Sequence, residues 1–147
     1  IGGGGHTGYY NNKYIKSASE MSNLGDNDLT SGVNYRVIRY ADVLLMAAES
    51  RHYLGDYVKA LEYLNIVRAR VGLFEKSFTS AEKLLEDILK ERRSELSCEG
   101  HRFFDLVRTG QAANEIDGFI VGKHELFPVP QDEIDLAGGN WSQNNGY

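Results

Sequence analysis

Residues 40 to 72 carry a helical repeat of apolar side chains that is interrupted once, and this pattern constrains the fold more than any other stretch. Before the interruption, the positions spaced three and four residues apart are Tyr40, Val43, Leu44, Ala47, Ala48 and Leu54. After it they are Tyr57, Ala60, Leu61, Leu64, Val67 and Val71. Gly55 ends the first segment, Asp56 is a good N-cap for the second, and Gly72 suits its end. The sequence therefore predicts an antiparallel helical hairpin.

The predicted hairpin resembles a tetratricopeptide unit. Ala47 and Ala48 in the first helix and Ala60 in the second are small enough for the two backbones to cross closely, and G-D-Y forms the turn. Because one such unit cannot bury both of its faces, further elements must pack against it. We therefore predict a mainly α fold in which this hairpin is joined by further helices and long loops.

Residues 91 to 110 form a second conspicuous stretch, in which acidic and basic side chains alternate at helical spacing. Oppositely charged residues three apart predict a structural ion-pair lattice, made of Arg92, Glu95, Glu99, Arg102, Asp105 and Arg108. An arginine beside each carboxylate favours its ionised form, and arginine itself cannot act as a base. The buried side of the stretch is predicted to be Leu96, Phe103, Leu106 and Val107.

This charged stretch is predicted to lie on two helices. The first is expected to begin at Thr79, whose hydroxyl would cap it while Glu82 completes a capping box. Gly100 costs about 1 kcal/mol inside a helix, so we expect a break there. A short helix from His101 to Arg108 follows, closed by Gly110.

The two ends of the chain are predicted to be mostly loop. Residues 1–34 are rich in Gly, Asn, Ser and Thr, and residues 111–125 lack a clear repeat. The prolines of F-P-V-P favour an extended connector, and a short helix is expected over Gln131–Leu136. Gly3 and Gly8 have phosphate-loop spacing, but tyrosines follow where lysine and serine or threonine are required, so that site is excluded.

Composition excludes several classes of function. The 147 residues suit one domain, with no apolar run long enough to cross a bilayer. The net charge of −5 argues against nucleic acid as a partner. Cys98 is the single cysteine, so no intrachain disulfide forms, and we expect its side chain to be buried. The four histidines are scattered along the chain, so neither a metal site nor a cofactor is expected.

Several separated motifs together resemble one protein family. They are T-G-Y-Y-N-N-K-Y at 7–14, R-Y-A-D-V-L-L-M-A-A-E at 39–49, G-D-Y at 55–57, A-L-E-Y-L-N-I-V-R-A-R-V-G at 60–72, E-R-R-S-E-L-S-C-E-G-H-R-F-F-D-L-V-R at 91–108, L-F-P-V-P-Q-D-E-I at 126–134 and Q-N-N-G-Y at 143–147. Their order and spacing resemble the C-terminal part of the SusD/RagB family of outer-membrane nutrient-binding lipoproteins. Asn145 departs from that family's pattern, which commonly has proline there.

The resemblance implies a partial SusD-like α fold over residues 1–147. Within it we expect a loop-rich segment over 1–34, the tetratricopeptide-like hairpin over 35–72, the charged helix-corner-helix over 79–110, and loop, short helix and tail over 111–147. The implied function is non-catalytic binding of a glycan or oligosaccharide at the cell-surface side of the outer membrane. The implied partner is a SusC-like TonB-dependent transporter, with the membrane reached through an N-terminal lipid anchor outside this chain.

The residues that would bind a sugar are not identified by the sequence. Aromatic faces stack on pyranose rings, and the candidates in predicted loops are Tyr9, Tyr10, Tyr14, Tyr35 and Trp141. Each of these aromatic residues is expected to lie over the core rather than face a ligand.

Two further hypotheses stay open. The tetratricopeptide-like helices could dock a partner protein. A glycoside hydrolase could use two of Glu91, Glu95, Glu99 and Asp105. A catalytic pair must face a cleft, whereas lattice carboxylates should contact Arg92, Arg93, Arg102 or Arg108.

Overall fold

The computed structural model describes residues 11–15, Gly25 and residues 35–147. Within these ranges the regular structure is entirely helical, with α1 Tyr40–Tyr53, α2 Tyr57–Arg70, α3 Ala81–Glu95, α4 Arg102–Arg108, α5 Ala112–Glu115 and α6 Gln131–Leu136. The predicted mainly α fold is confirmed. No helix in the described part is both long and apolar enough to cross a bilayer. Most of the loop-rich segment expected over 1–34 lies outside the described residues.

The chain divides into two compact units, residues 1–98 and residues 99–147. The first unit contains α1 to α3. Its α1 and α2 are joined by three residues and pack against each other, as the hairpin prediction requires. The carboxylate of Asp56 caps α2 by accepting the backbone N–H of Lys59 at 3.2 Å, which satisfies one of the donors left free at a helix start.

The apolar core of the first unit lies between its three helices. Leu45 of α1, Leu64 of α2 and Ile88 of α3 are completely shielded from solvent. Ala48 and Ala60 are equally inaccessible, so small side chains do lie where α1 and α2 cross. α3 packs on both helices of the hairpin and covers apolar surface that a lone hairpin would leave exposed.

The buried face of α1 differs from the predicted one. Its buried apolar residues are Ala41, Leu44, Leu45 and Ala48, again at helical spacing. Tyr40 and Leu54, which were expected on this face, are 73% and 76% exposed. The buried face is rotated about the helix axis because α1 contacts both α2 and α3. The periodicity of α1 alone does not indicate from which direction a second helix packs on it.

The start of α3 also corrects the prediction. Ser80, not Thr79, is the N-cap, and its hydroxyl accepts the backbone N–H of Lys83 at 3.2 Å. Glu82 lies in the first turn. Its own backbone N–H and the Ser80 hydroxyl both bond to its carboxylate and lower the pKa of Glu82 below the usual carboxyl value.

Folding stability should therefore depend on the ionisation of Glu82. A carboxyl whose folded pKa is depressed stabilises the fold above its unfolded pKa, and that contribution is lost as pH falls through the folded value. The Glu82→Gln variant should accordingly lose less stability than wild type when the pH is lowered from neutral to about 3. Urea unfolding at both pH values measures this. If both proteins lost the same free energy of unfolding on acidification, ionised Glu82 would not be stabilising the fold.

The turn between α3 and α4 confirms the break predicted at Gly100, which has a φ of 84°. Cys98 in the same turn has a φ of 65°, a left-handed conformation unusual for a residue with a side chain. The expected burial of Cys98 is wrong, because the residue is exposed. α3 ends at Glu95, so Cys98 lies in the turn after the helix and its side chain is exposed there.

The second unit contains α4 to α6. Its α4 and α5 pack together, and Phe103 contacts the rings of Phe104, Phe119 and Phe127 at centroid distances of 5.6, 6.5 and 6.0 Å. Leu106 is buried, whereas Phe103 and Val107 are half-buried. Residues 111–125 are not entirely loop as predicted, since α5 forms one helical turn there.

Candidate functional site: a stacked tyrosine pair

Tyr14 and Tyr35 form a stacked pair in the first unit. Their ring centroids lie 5.5 Å apart, and the ring planes differ by 18°. The sequence suggested that these aromatics would lie over the core, but Tyr14 is 40% exposed and Tyr35 is 63% exposed. Tyr14 and Tyr35 therefore form an exposed pair of nearly parallel rings from two segments that are distant in sequence. They do not cover the core separately, as was expected.

The segment that carries Tyr14 is held by its neighbour Lys13. The Lys13 ammonium donates to the backbone carbonyls of Glu95 at 2.7 Å and Ser97 at 2.9 Å. These carbonyls lie at the end of α3, where helix carbonyls lack intrahelical partners and the helix dipole favours a cation. The lysine thus caps α3 and fixes the adjacent tyrosine to it.

The segment that carries Tyr35 is held at the same end of α3 by Arg39. Its guanidinium donates to the Glu95 carboxylate at 2.9 Å and to the Glu95 carbonyl at 3.0 Å. Arg70 of α2 donates to the same carboxylate at 2.7 Å. The Glu95 side chain is only 7% exposed, so one shielded carboxylate ties together α2, α3 and the segment before α1.

We refer to Tyr14 and Tyr35, with their supports Lys13, Arg39, Arg70 and Glu95, as the tyrosine platform. Ligand sites commonly combine apolar surface with a few fixed polar groups, and the exposed rings and charged side chains provide both kinds of group. The supports fix the segments that carry both rings, which reduces the conformational entropy lost when a ligand is held. The arrangement suits the binding of a polar ring-shaped molecule.

Two other charges of α3 join it to the remaining helices of the first unit. Arg92 donates to Asp42 of α1 at 2.8 Å, and both side chains are nearly fully buried. Glu91 accepts from Arg68 of α2 at 2.6 Å. These partners come from other helices, whereas the sequence argument considered neighbours on the same helix. One residue of the sequence could have indicated an ion pair between helices: Asp42 is an acidic residue among the buried positions of α1.

In the second unit, Arg108 bonds to Asp105 three residues away at 2.7 Å, a spacing that the lattice hypothesis used. Arg102 bonds to Glu115 of α5 at 2.8 Å, a partner that helical spacing did not indicate. Glu99 lies half-buried in the turn before α4. The charges of this unit therefore include one pair within α4 and one pair between α4 and α5.

Three of the four carboxylates considered for hydrolysis contact arginines. Glu91 bonds to Arg68, Glu95 bonds to Arg39 and Arg70, and Asp105 bonds to Arg108. Such pairing directs each carboxylate at a guanidinium, whereas a catalytic pair must face a cleft that holds the sugar. The arginine contacts therefore favour a structural role for these three carboxylates.

The remaining candidates are two tyrosines, a tryptophan and the histidines. Tyr9 and Tyr10 lie outside the described residues. Trp141 is 56% exposed and belongs to the second unit. Among the described residues, no group of three or more histidine, cysteine or acidic side chains is arranged to hold a metal ion. His124 accepts the backbone N–H of Ile120 at 3.0 Å, and His52 lies against Tyr53 and Tyr57.

Comparison with known proteins identifies relatives of the chain. A protein-family model for the SusD family matches residues 1–125. SusD-like protein P2 from Formosa agariphila is 32% identical over 141 residues, covering 84% of this chain and 28% of that protein. SusD-like protein P38 from the same organism is 43% identical over 98 residues, covering 60% of this chain and 19% of that protein.

A solved structure agrees with these relatives. The crystal structure of a SusD-like protein from Bacteroides fragilis superposes with a TM-score of 0.70 at 32% identity, over 78% of this chain and 26% of that one. The chain thus spans about a quarter of the length of the relatives that it matches. The resemblance inferred from the motifs is confirmed, and the chain belongs to the SusD family.

Proposed function

We propose that the protein is a cell-surface component of a nutrient-uptake system that binds a glycan or oligosaccharide without chemically changing it. Membership of the SusD family supports this proposal most directly. In this proposal the protein lies on the outer face of the outer membrane, anchored by a lipid at a part of the polypeptide outside residues 1–147. It delivers its ligand to a SusC-like TonB-dependent transporter, and it uses no cofactor.

We place one contact with the glycan at the tyrosine platform. The exposed rings of Tyr14 and Tyr35 supply apolar surface that suits the face of a pyranose ring, and their phenolic hydroxyls suit hydrogen bonds to the sugar hydroxyls. Since residues 1–147 span about a quarter of the relatives, the rest of the polypeptide is expected to supply most of the ligand contacts. The isolated chain should therefore bind glycans far more weakly than the full-length protein.

The Tyr35→Ala variant of the full-length protein should bind its glycan about tenfold more weakly, since tenfold corresponds to about 1.4 kcal/mol and an aromatic contact is worth about that much. Affinity electrophoresis in gels containing individual polysaccharides identifies the ligand, and isothermal titration calorimetry measures the loss. Tyr53→Ala is the matched control, because Tyr53 is 67% exposed but lies at the other end of α1. If the Tyr35→Ala variant and wild type bound the glycan with equal affinity, the tyrosine platform would not be part of the binding site.

The absence of catalysis is tested separately. The full-length protein, incubated with the glycan that it binds, is expected to release no reducing sugar. Release that is abolished by Glu99→Gln would instead support the hydrolase hypothesis. The arginine contacts of Glu91, Glu95 and Asp105 favour the non-catalytic alternative.

A protein-docking role for the hairpin is the second candidate function. It is favoured by exposed apolar side chains along α1, where Tyr40, Val43, Met46 and Tyr53 are between 42% and 73% exposed. Such a stripe on a helix suits contact with another protein surface. Co-purification of the full-length protein from the membranes of its own host tests this, and recovery of the protein without a transporter would count against docking.

A further inference from the structure

The motifs F-P-V-P at 127–130 and Q-N-N-G-Y at 143–147 contact each other in the second unit. The side-chain amide of Gln143 accepts the backbone N–H of Val129 at 2.7 Å and donates to the carbonyl of the same residue at 2.8 Å. Asn144 donates from its side chain to the carbonyl of Phe127 at 2.6 Å. One amide side chain thus provides the pair of hydrogen bonds that a neighbouring β-strand would provide.

The prolines explain why a side chain takes this role. Pro128 and Pro130 have no backbone N–H, so Val129 carries the single backbone donor of residues 128–130. A regular strand ladder cannot form along such a segment. An unpaired backbone donor is costly once it is removed from water, and the Gln143 carbonyl satisfies this one.

The residues after Gln143 complete the contact through a tight turn. The backbone N–H of Tyr147 donates to the carbonyl of Asn144 at 3.2 Å, and Gly146 between them has a φ of 87°. A hydrogen bond over three residues with positive φ at the third position is typical of a type II turn. The turn brings the Tyr147 hydroxyl to the carbonyl of Leu126 at 3.0 Å.

Lys123 also contacts this turn. Its ammonium lies 4.7 Å from the centroid of the Tyr147 ring, a cation–π contact. A Cβ atom at Gly146 would come within 2.9 Å of the Lys123 side chain, so a larger residue there would force that side chain to move, in addition to the strain of the positive φ.

The second unit has little apolar burial to hold it together. Among residues 99–147, all of which are described, the buried side chains are Asp105, Leu106 and Ala112. All three belong to α4 and α5. Hydrogen bonds from residues 143–147 therefore help to fix residues 122–130, together with the local turn bonds of residues 120–126 and the contact of Phe127 with Phe103.

We propose that residues 143–147 act as a clasp that orders residues 122–130, with Gln143 as its anchor. The clasp sets the conformation of a connector that carries the exposed side chains of Leu126 and Phe127. It acts locally on the second unit, and the three-helix core of the first unit does not depend on it. This role is independent of glycan binding, so its test does not rest on the proposed function.

The Gln143→Ala variant tests the clasp by residue-resolved hydrogen exchange followed by NMR. The amide of Val129 should exchange at least about tenfold faster than in wild type, because a protecting hydrogen bond is lost. Amides in α1 to α3 should keep their wild-type rates. Gln131→Ala is the matched control, since Gln131 is exposed and its amide bonds to Asp135 on the same short helix.

A second variant separates the two hydrogen bonds of the anchor. Gln143→Glu keeps the acceptor for the Val129 N–H but, when ionised, places a carboxylate oxygen beside the Val129 carbonyl. The Val129 resonance should shift at neutral pH and return toward its wild-type position once the carboxyl is protonated. Unchanged exchange at Val129 in Gln143→Ala would overturn the clasp, as would faster exchange throughout α1 to α3.

Discussion

Replacement of Arg92 by methionine is expected to lower the free energy of unfolding by about 3–5 kcal/mol. The Arg92 guanidinium bonds to Asp42 at 2.8 Å, and the two side chains are only 5% and 7% exposed. Methionine removes the cation but leaves the Asp42 carboxylate buried without that partner. An uncompensated buried charge is far more costly than the loss of an exposed one. Urea unfolding followed by far-UV circular dichroism measures the change.

Two further variants separate the charge effect from the loss of side-chain volume. Lys90→Met makes the same kind of change at an exposed position of α3, so it should shift stability by no more than about 0.5 kcal/mol. The double variant Asp42→Leu with Arg92→Met replaces both charges by apolar groups and should recover much of the lost stability. A double variant as unstable as the single one would show that the Asp42 carboxylate is not the source of the loss.

Leu64→Ala is expected to lower the free energy of unfolding by about 2–5 kcal/mol. Leu64 is completely shielded from solvent in the core formed by α1, α2 and α3. Truncation removes its transfer free energy and leaves a cavity among side chains from three helices, which relax only partly. The cost should appear in urea unfolding as a lower midpoint with an unchanged slope.

Ile66 on the same helix is the matched control for this core variant. Ile66 is 45% exposed, so Ile66→Ala should cost less than about 1 kcal/mol. Similar losses for the two variants would mean that α2 does not bury the face that carries Leu64. That result would contradict the packing of the three-helix unit.

The helical elements were largely predictable because their signals are local. The bounds of α2, the break at Gly100 and the short helix over Gln131–Leu136 each follow from a cap residue, a glycine or a proline near the element. The N-cap of α3 was misplaced by one residue because Thr79 and Ser80 are both good caps. Which of two neighbouring residues becomes the N-cap depends on where the backbone changes from extended to helical, and residue spacing does not specify that point.

The candidate site was much less predictable. Tyr14 and Tyr35 were recognised as aromatic residues in loops, but their stacking depends on Lys13 and Arg39 reaching the end of α3 from two distant segments. Nothing in the local sequence of either tyrosine indicates Glu95 as the common anchor. Charge alternation along α3 indicated that ion pairs would form, but not that partners would come from α1 and α2.

The sequence by itself determined the helical hairpin, the break at Gly100, the short helix over Gln131–Leu136 and the family to which the chain belongs, because periodicity, capping and motif order are properties of neighbouring residues. The tertiary structure decided which face of α1 is buried, which arginine meets each carboxylate, and that Gln143 pairs with Val129. The physical reason is that burial and pairing depend on the directions from which distant segments approach. A carboxylate at helical spacing from an arginine is bonded to whichever cation the packed helices bring within about 3 Å.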